Sequence, residues 1–386
     1  MAFLDLLILS VQSSSLMLLV AVAGYYCAKY GILDASAQRG LSQLTIQLLM
    51  PCLLFAQVAE SIDADTLLQL WPLPAFLIII SLISGLLGLI GGKIFNFSGS
   101  QTRFLATGII FNNVTSFPIG LIQSLVATEA ISFLLWGDLD TPKKAAARGI
   151  SYALLNTLFA NILRFSFGTW LLKKEVSIDN NRITDVEQAN TENTPLLSSS
   201  HQTFRAPFSN LIYKIKEFMN PPLYTSLIAI IVGTIPTIKS LFFKDTTIFY
   251  IVITRPAQYL GDITIPLTIL LLGAQLNNLS SSSKSRELLG IISYIMTCRF
   301  IIMPIIGILL VVMTRGWYFK DPMLWFVMMM TASGPSAIII INMAQLTGSF
   351  QEEVAALLAY SYLALTPMAT VFMMIMLEVI ERLTHS

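Results

Sequence analysis

The stretch FNNVTSFPIG, residues 111–120, lies inside a run, about 104–125, that otherwise has the apolar character of a membrane-spanning helix. It sets Asn112, Asn113, Thr115, Ser116 and Pro118 at a depth where hydrocarbon favours Leu and Val. Pro118 has no amide hydrogen to donate, and its ring opposes continuation of the helix past Val114. In hydrocarbon an unpaired backbone polar group costs several kcal/mol, so non-helical backbone persists at that depth only where protein or a water-filled cavity surrounds it. The stretch therefore predicts a helix interrupted near the midplane of a polytopic membrane protein.

The composition agrees with a membrane as the solvent. Of 386 residues, 55% are hydrophobic and 12% charged, and the mean hydropathy is +0.73, outside the range of soluble domains. A net charge of +1, with no Lys/Arg-rich run interleaved with aromatics, excludes a nucleic-acid partner. Cys27, Cys52 and Cys298 fall in apolar segments without metal-ligand spacing, while His201 and His385 lie in polar ones. No metal, cofactor or disulfide framework is expected from them. HExxH is absent, YLGD at 259–262 lacks the first glycine of GxGD, and no Ser/His pair falls within the apolar runs, so an enzyme is not expected either.

At roughly 20 apolar residues per span, ten spans fit: about 5–28, 41–60, 67–91, 104–125, 149–172, 221–238, 248–276, 288–313, 323–346 and 353–379. The N-terminal run lacks a basic region and is longer than a signal peptide needs, which reads as a retained first span. Residues 173–220 are polar and rich in Ser, Thr and Asn, the composition of a mostly disordered linker. They divide the chain into two five-helix halves, 1–172 and 221–386.

The halves are broken at matching places. Pro51 and Pro266 are 215 residues apart, Pro118 and Pro335 are 217 apart, and Arg39 and Arg255 are 216 apart. Five spans per half is an odd number, so the second copy enters the membrane from the opposite side and the repeats are inverted, an arrangement found mostly in transporters. Twelve Lys/Arg fall on the linker's side of the membrane, including Lys29, Arg39, Lys93 and Arg103, against eight on the other. The positive-inside rule then places both termini on the non-cytoplasmic side and the linker in the cytosol.

The counterpart of the opening stretch is TASGPSAIII, residues 331–340. Each proline is expected to open a new half-helix, with Phe117 or Gly334 at the cap and Ser116 or Ser333 beside it. Two half-helix N-termini together present free N–H groups and about half a positive charge each, suited to an anion such as a carboxylate. The candidate substrate contacts are Asn112, Asn113, Thr115, Ser116 and Pro118 from the first break, and Thr331, Ser333, Gly334, Pro335 and Ser336 from the second. Asn342 joins them on the following helix. The bland reading is a pair of proline kinks held by neighbouring spans. No acidic residue lies in either break, which argues against a sodium site there. Asp262, four residues before Pro266, and Gln345, beyond the second break, are candidates for coupling or for structure. Asp262 could carry a coupling proton, cap a helix, or pair with Arg255 or Arg299. Arg164 and Arg299 read as snorkelling or bundle-pairing residues before substrate ligands. Asn156 and Asn161 could line the path or bond to a neighbouring helix.

Several motifs in order carry a family resemblance: FNNVTSFPIGLIQSL, RGISYALLNTLFANILRFSFG, NPPLY, GDITIPLTILLLGAQL and GPSAIIIINMAQL. Together they resemble the auxin efflux carrier superfamily, in particular the fungal members of its PIN-LIKES branch. The resemblance covers residues 1–172 and 220–380. It implies ten helices as two inverted five-helix repeats, with a scaffold domain from spans 1, 2, 6 and 7 and a transport domain from spans 3 to 5 and 8 to 10. It also implies substrate held where the broken fourth and ninth helices cross, elevator-type movement, a homodimer through the scaffold helices, and an endoplasmic reticulum membrane before a plasma membrane. The implied substrate is a small organic anion such as an indole carboxylate. Fungal sequences lack the plant hormone context, so the fold transfers more safely than the ligand. The alternatives are a sodium-coupled organic-anion symporter of similar architecture and a non-transporting membrane receptor or scaffold.

Overall fold

A computed structural model describes residues 19–61, 69–126, 129–137, 139–173, 220–277 and 286–384. The first span before residue 19 and nearly all of the 173–220 linker lie outside the described residues. The described chain is helical, with no strand and one isolated β-bridge, Asn112 to Ser336. In order come α1 (Leu19–Lys29), α2 (35–61), α3 (Pro72–Ile94), α4a (Gly99–Ile110) and α4b (Ser116–Val126), and α5 (142–172). The second half has α6 (Pro221–Thr234), α7 (Tyr250–Asn277), α8 (286–314), α9a (Pro322–Ala332) and α9b (Ile340–Thr347), and α10 (Gln351–Thr384).

The helix starts follow local chemistry. Asp34, Thr141, Asn220 and Asp321 each accept a backbone N–H in the first turn of α2, α5, α6 and α9a. Ser98 and Gln101 form a reciprocal capping box on α4a. Prolines 72, 142, 221 and 322 occupy first turns, where their missing N–H is no loss. After α6 the chain turns by 107° into Pro236–Phe243.

Four of these helices, Ala35–Gln57, Pro72–Ile94, Tyr250–Asn277 and Glu287–Thr314, are long and apolar enough to cross a membrane, and up to six are if each bent pair is one span. Helices α4 and α9 miss that test because each is cut into pieces of at most 12 residues.

Helix α2 packs along α6 and α7, while α3 lies along α4a, α8 along α9a, and α5 against α4b and α9a. Small residues let backbones meet. Gly24 of α1 abuts the Leu270 backbone of α7, and Gly273 of α7 abuts the Ala21 backbone. This is the close packing by which helices associate where lipid supplies no hydrophobic drive.

The expected helix openings need correction at both breaks. Pro118 is the third residue of α4b, not its opening residue. Pro335 lies in extended backbone five residues before α9b, which starts without a side-chain cap. The reason is that both breaks are occupied by pairing with each other.

Candidate functional site

Between α4a and α4b, and between α9a and α9b, the chain is extended, and the two extended pieces run antiparallel past each other. Asn113 donates its backbone N–H to Pro335 O at 3.0 Å, and Ala337 donates to Phe111 O at 2.9 Å. Each break thereby satisfies backbone groups freed by the other, the condition for leaving a helix at membrane depth. Gly334 has φ +102°, and a Cβ there would lie 2.7 Å from the Phe117 ring, so both backbone and space require glycine.

Most of the polar side chains of the breaks are spent inside this crossing. The Asn112 amide donates to Thr331 O. Asn156 donates to the Thr331 hydroxyl at 2.5 Å, and that hydroxyl donates to Val327 O at 2.8 Å. Ser333 donates to Met329 O and Ser336 to Gly108 O, at 2.9 and 2.8 Å. Asn113 does three things: its amide donates to the Tyr362 hydroxyl at 2.7 Å, and its carbonyl accepts from the N–H groups of Thr115 and Phe117 at 3.2 and 3.4 Å. It is therefore Asn113 that caps α4b, where Phe117 was expected, because Phe117 has no side-chain acceptor to offer.

Two arginines, read from sequence as chiefly structural, complete the crossing. Arg164 and Arg299 are each 1% exposed. Both lie in turns wound as π-helix, Arg164–Gly168 and Cys298–Ile302, a local widening that recurs at functional sites. Arg164 donates to Asn112 O and, at 2.9 Å, to Asn161 Oδ1. Arg299 donates through Nε and Nη2 to Gly334 O at 3.1 and 2.8 Å, and through Nη1 to Ile109 O at 3.3 Å. The guanidinium groups thus sit on carbonyls at the C-terminal ends of half-helices, where the helix dipole favours a cation.

A cavity of about 40 Å³, enough for a few waters, lies between this crossing and helices α2 and α7. Its polar wall comprises Gln57, Asn113, Thr115, Thr157, Asn161, Arg164, Thr264 and Thr268, and its apolar wall includes Met50, Leu53, Leu54, Ile265, Ile338 and Ile339. No carboxylate lines it. Among the described residues, Arg164 Nε and the buried Thr264 hydroxyl have no hydrogen-bond partner. Neither do the backbone N–H groups of Ile338 and Ile339, just ahead of α9b. The unpaired groups of the cavity wall are thus all able to donate.

Of the residues singled out from sequence, Asn113 and Thr115 line the cavity. Asn112, Thr331, Ser333, Gly334, Pro335 and Ser336 build the crossing behind it, Ser116 begins α4b, and Pro118 lies in its first turn. Asn342 is 1% exposed, with neither side-chain polar atom paired. Gln345 lines a separate polar hollow with Arg39, Gln275 and Glu352. Asp262 is exposed, in a hollow with Gln57, Glu60 and Arg255 that shares Leu53 and Gln57 with the central cavity. Thr264 and Thr268 were missed in sequence. Their four-residue spacing beside Pro266 was the available signal.

At the N-terminal end of α5, Arg148 pairs with Asp140 and Asp321, each at 2.8 Å, and Tyr152 donates to Asp321 at 2.8 Å. Burial alone would raise the Asp140 pKa, but the Arg148 guanidinium and the N–H groups of Trp136 and Thr141 outweigh it and hold that carboxyl below its usual range.

Residues 12–373 match the family described as membrane transport protein. The chain belongs to the auxin efflux carrier family. That is a family of membrane transporters and not of enzymes. An uncharacterized transporter of Schizosaccharomyces pombe is 27% identical, with 92% of each chain covered. One of Saccharomyces cerevisiae is 26% identical, covering 95% of this chain and 94% of the relative. PIN-LIKES 7 of Arabidopsis thaliana is 24% identical over 97% of this chain and 100% of its own length. The resemblance read from the motifs and the family match agree on a membrane transporter with PIN-LIKES relatives.

Proposed function

We propose that this member of the auxin efflux carrier family is a carrier for a small organic monoanion with an apolar body, the class to which indole carboxylates belong. The observation that carries this reading is the cavity wall: unpaired donors from Arg164, Thr264, Ile338 and Ile339, no carboxylate, and an apolar side from α2 and α7. A buried cation without a carboxylate partner is costly, and a carboxylate ligand offsets that cost while its hydrocarbon part fills the apolar side. Asn113 and Thr115 face the ligand, and Asn112, Thr331, Ser333, Gly334, Pro335 and Ser336 act through the crossing they hold together.

The remaining architecture completes the proposal. Ten spans form two inverted repeats, 1–172 and 221–386, in an endoplasmic reticulum membrane, with both termini non-cytoplasmic and the 173–220 segment cytosolic. The protein is a homodimer through its scaffold helices. The cavity at about 40 Å³ is smaller than any indole acid, so loading requires α2 and α7 to part from the crossing. Elevator-type movement of the helices that carry the crossing provides that separation.

The test is a thermal-shift screen of small carboxylates against purified protein, since a ligand that binds only the native state raises its stability by mass action. Proteoliposome flux of the best ligand follows. Specific stabilisation that Arg164→Gln and Asn113→Asp both remove supports the reading. Carboxylates that stabilise all three proteins equally overturn it.

A further inference from the structure

A second cavity, of about 250 Å³, lies beside the first, bounded by α1, α7, α10 and the second break. It exceeds the roughly 150 Å³ that admits a benzene ring in a protein core. Its wall is mostly hydrocarbon, with Ile269, Leu272, Leu276 and Leu358 along it and the hydroxyls of Tyr25 and Tyr362 as its polar groups. The cleft opens sideways: Leu363, Val22 and Tyr25 at its rim are 65%, 49% and 38% exposed. Leu363 lies roughly 18 Å along α10 from its start at Gln351, well inside a hydrocarbon core about 30 Å thick. The rim therefore faces acyl chains and not water.

The cleft adjoins the central cavity. Ile338 lines both, and on α7 Thr268 borders the central cavity while Ile269 and Leu272 border the cleft. Between the two spaces runs the 2.7 Å bond from the Asn113 amide, on the central side, to the Tyr362 hydroxyl, on the cleft side. That hydroxyl accepts there, and its own proton meets no acceptor among the described residues.

We propose that the cleft is the apolar subsite of the carrier: it takes the hydrocarbon tail of an amphipathic monocarboxylate, a fatty acid of medium chain length. The head group reaches the donors of the central cavity past Ile338 and Tyr362. The proposal rests on the anion reading and deepens it to the shape and route of the substrate. The central cavity, at about 40 Å³, holds a head group and no more, so the apolar body lies elsewhere, and the adjoining apolar space is the cleft. Complementarity matches each part of the ligand to one space: Arg164 Nε and the Thr264 hydroxyl donate to the carboxylate, and the leucines and isoleucines cover the tail. A phospholipid does not meet both conditions, because its charged head stays at the membrane surface while the crossing lies at depth. Since the rim meets the bilayer, a fatty acid dissolved in the membrane enters sideways without crossing water.

The test uses the full-length protein in lipid nanodiscs with decanoate, decanol and butanoate. Decanoate is expected to raise the melting temperature, and decanol at equal membrane concentration to raise it by less than half as much. Ala359 lines the cleft and not the central cavity. Ala359→Phe overfills the cleft and is expected to weaken decanoate about tenfold or more while leaving butanoate within about twofold. Both proteins sit in the same bilayer, so partitioning of the tail cancels. On illumination, a decanoate with a terminal diazirine is expected to label residues within 21–25, 269–276 or 358–363 of the wild type, and Arg164→Gln to reduce that labelling about tenfold. Labelling elsewhere, or Ala359→Phe that binds decanoate like the wild type, overturns the proposal. So does labelling that survives Arg164→Gln and is competed by decanol, the result for a lipid tail held without its head. If Ala359→Phe does not fold, the labelling decides alone. Carboxylates that bind through Arg164 regardless of chain length remove this proposal and leave the anion reading standing, whereas carboxylates that do not bind at all remove both.

Discussion

Single residues divide into those that hold the crossing and those that face the cavity, and substitutions separate the two. Arg164 does both, since two of its nitrogens are bonded within the protein and Nε is not. Hydrogen bonds to charged groups contribute about 1.5–3 kcal/mol, so Arg164→Gln is expected to weaken carboxylate affinity about 10- to 100-fold, read as a rise in KM or in ligand Kd. Asn113→Asp is nearly isosteric and puts a carboxylate beside the same cavity. It is expected to cost more ligand affinity than Asn113→Ala, a comparison that separates charge from lost capping. Gly334→Ala acts differently, through a backbone held at φ +102° against Phe117. Forcing a side chain into such a conformation costs about 1–3 kcal/mol, so the melting temperature is expected to fall even in the absence of ligand.

At the level of elements, the breaks are held open by pairing and not by proline alone. Pro118 lies in the first turn of α4b, where an N–H has no helical acceptor in any case. Pro118→Ala is therefore expected to change stability by less than about 1 kcal/mol and to leave flux within a few-fold of wild type, measured by thermal melting and uptake. The N-terminal end of α9a is more demanding. Asp321 is fully buried, caps that helix through Met323 N–H, and accepts from Arg148 and Tyr152. Removing one partner of a buried ion pair costs about 3–5 kcal/mol, so Asp321→Ala is expected to melt well below both wild type and Asp140→Ala. The Asp140 carboxyl has a folded pKa below its unfolded value near 3.9. Its contribution is therefore present above that value and lost as pH falls through the folded pKa, a loss below about pH 4 that Asp140→Asn should diminish.

For the whole molecule, the cavity has two walls on different helix groups: Leu53 on α2 and Ile338 in the second break both line it. If transport separates these walls, a cysteine pair at 53 and 338 in a cysteine-free background, bridged by a bifunctional thiol reagent, should arrest flux, and each single variant should continue to transport. Continued flux in the bridged protein would remove the elevator movement from the account.

What the sequence by itself determined is the solvent and the plan. Hydropathy of +0.73 requires a membrane, FNNVTSFPIG and TASGPSAIII announce two interrupted helices, and the motif order points to the family. These are local properties of composition and of short stretches, and they survive without knowledge of any contact. What only the tertiary structure decided is which polar groups are spent and which are free. Asn112 and Asn113 are adjacent in sequence, yet the first amide is used on Thr331 and the second on Tyr362, and Arg164 and Arg299 lie on carbonyls far from them in sequence. A buried polar residue announces that it needs a partner, because an unpaired one is too costly in hydrocarbon. The partner's identity depends on which helices cross, and that is a property of the packed chain.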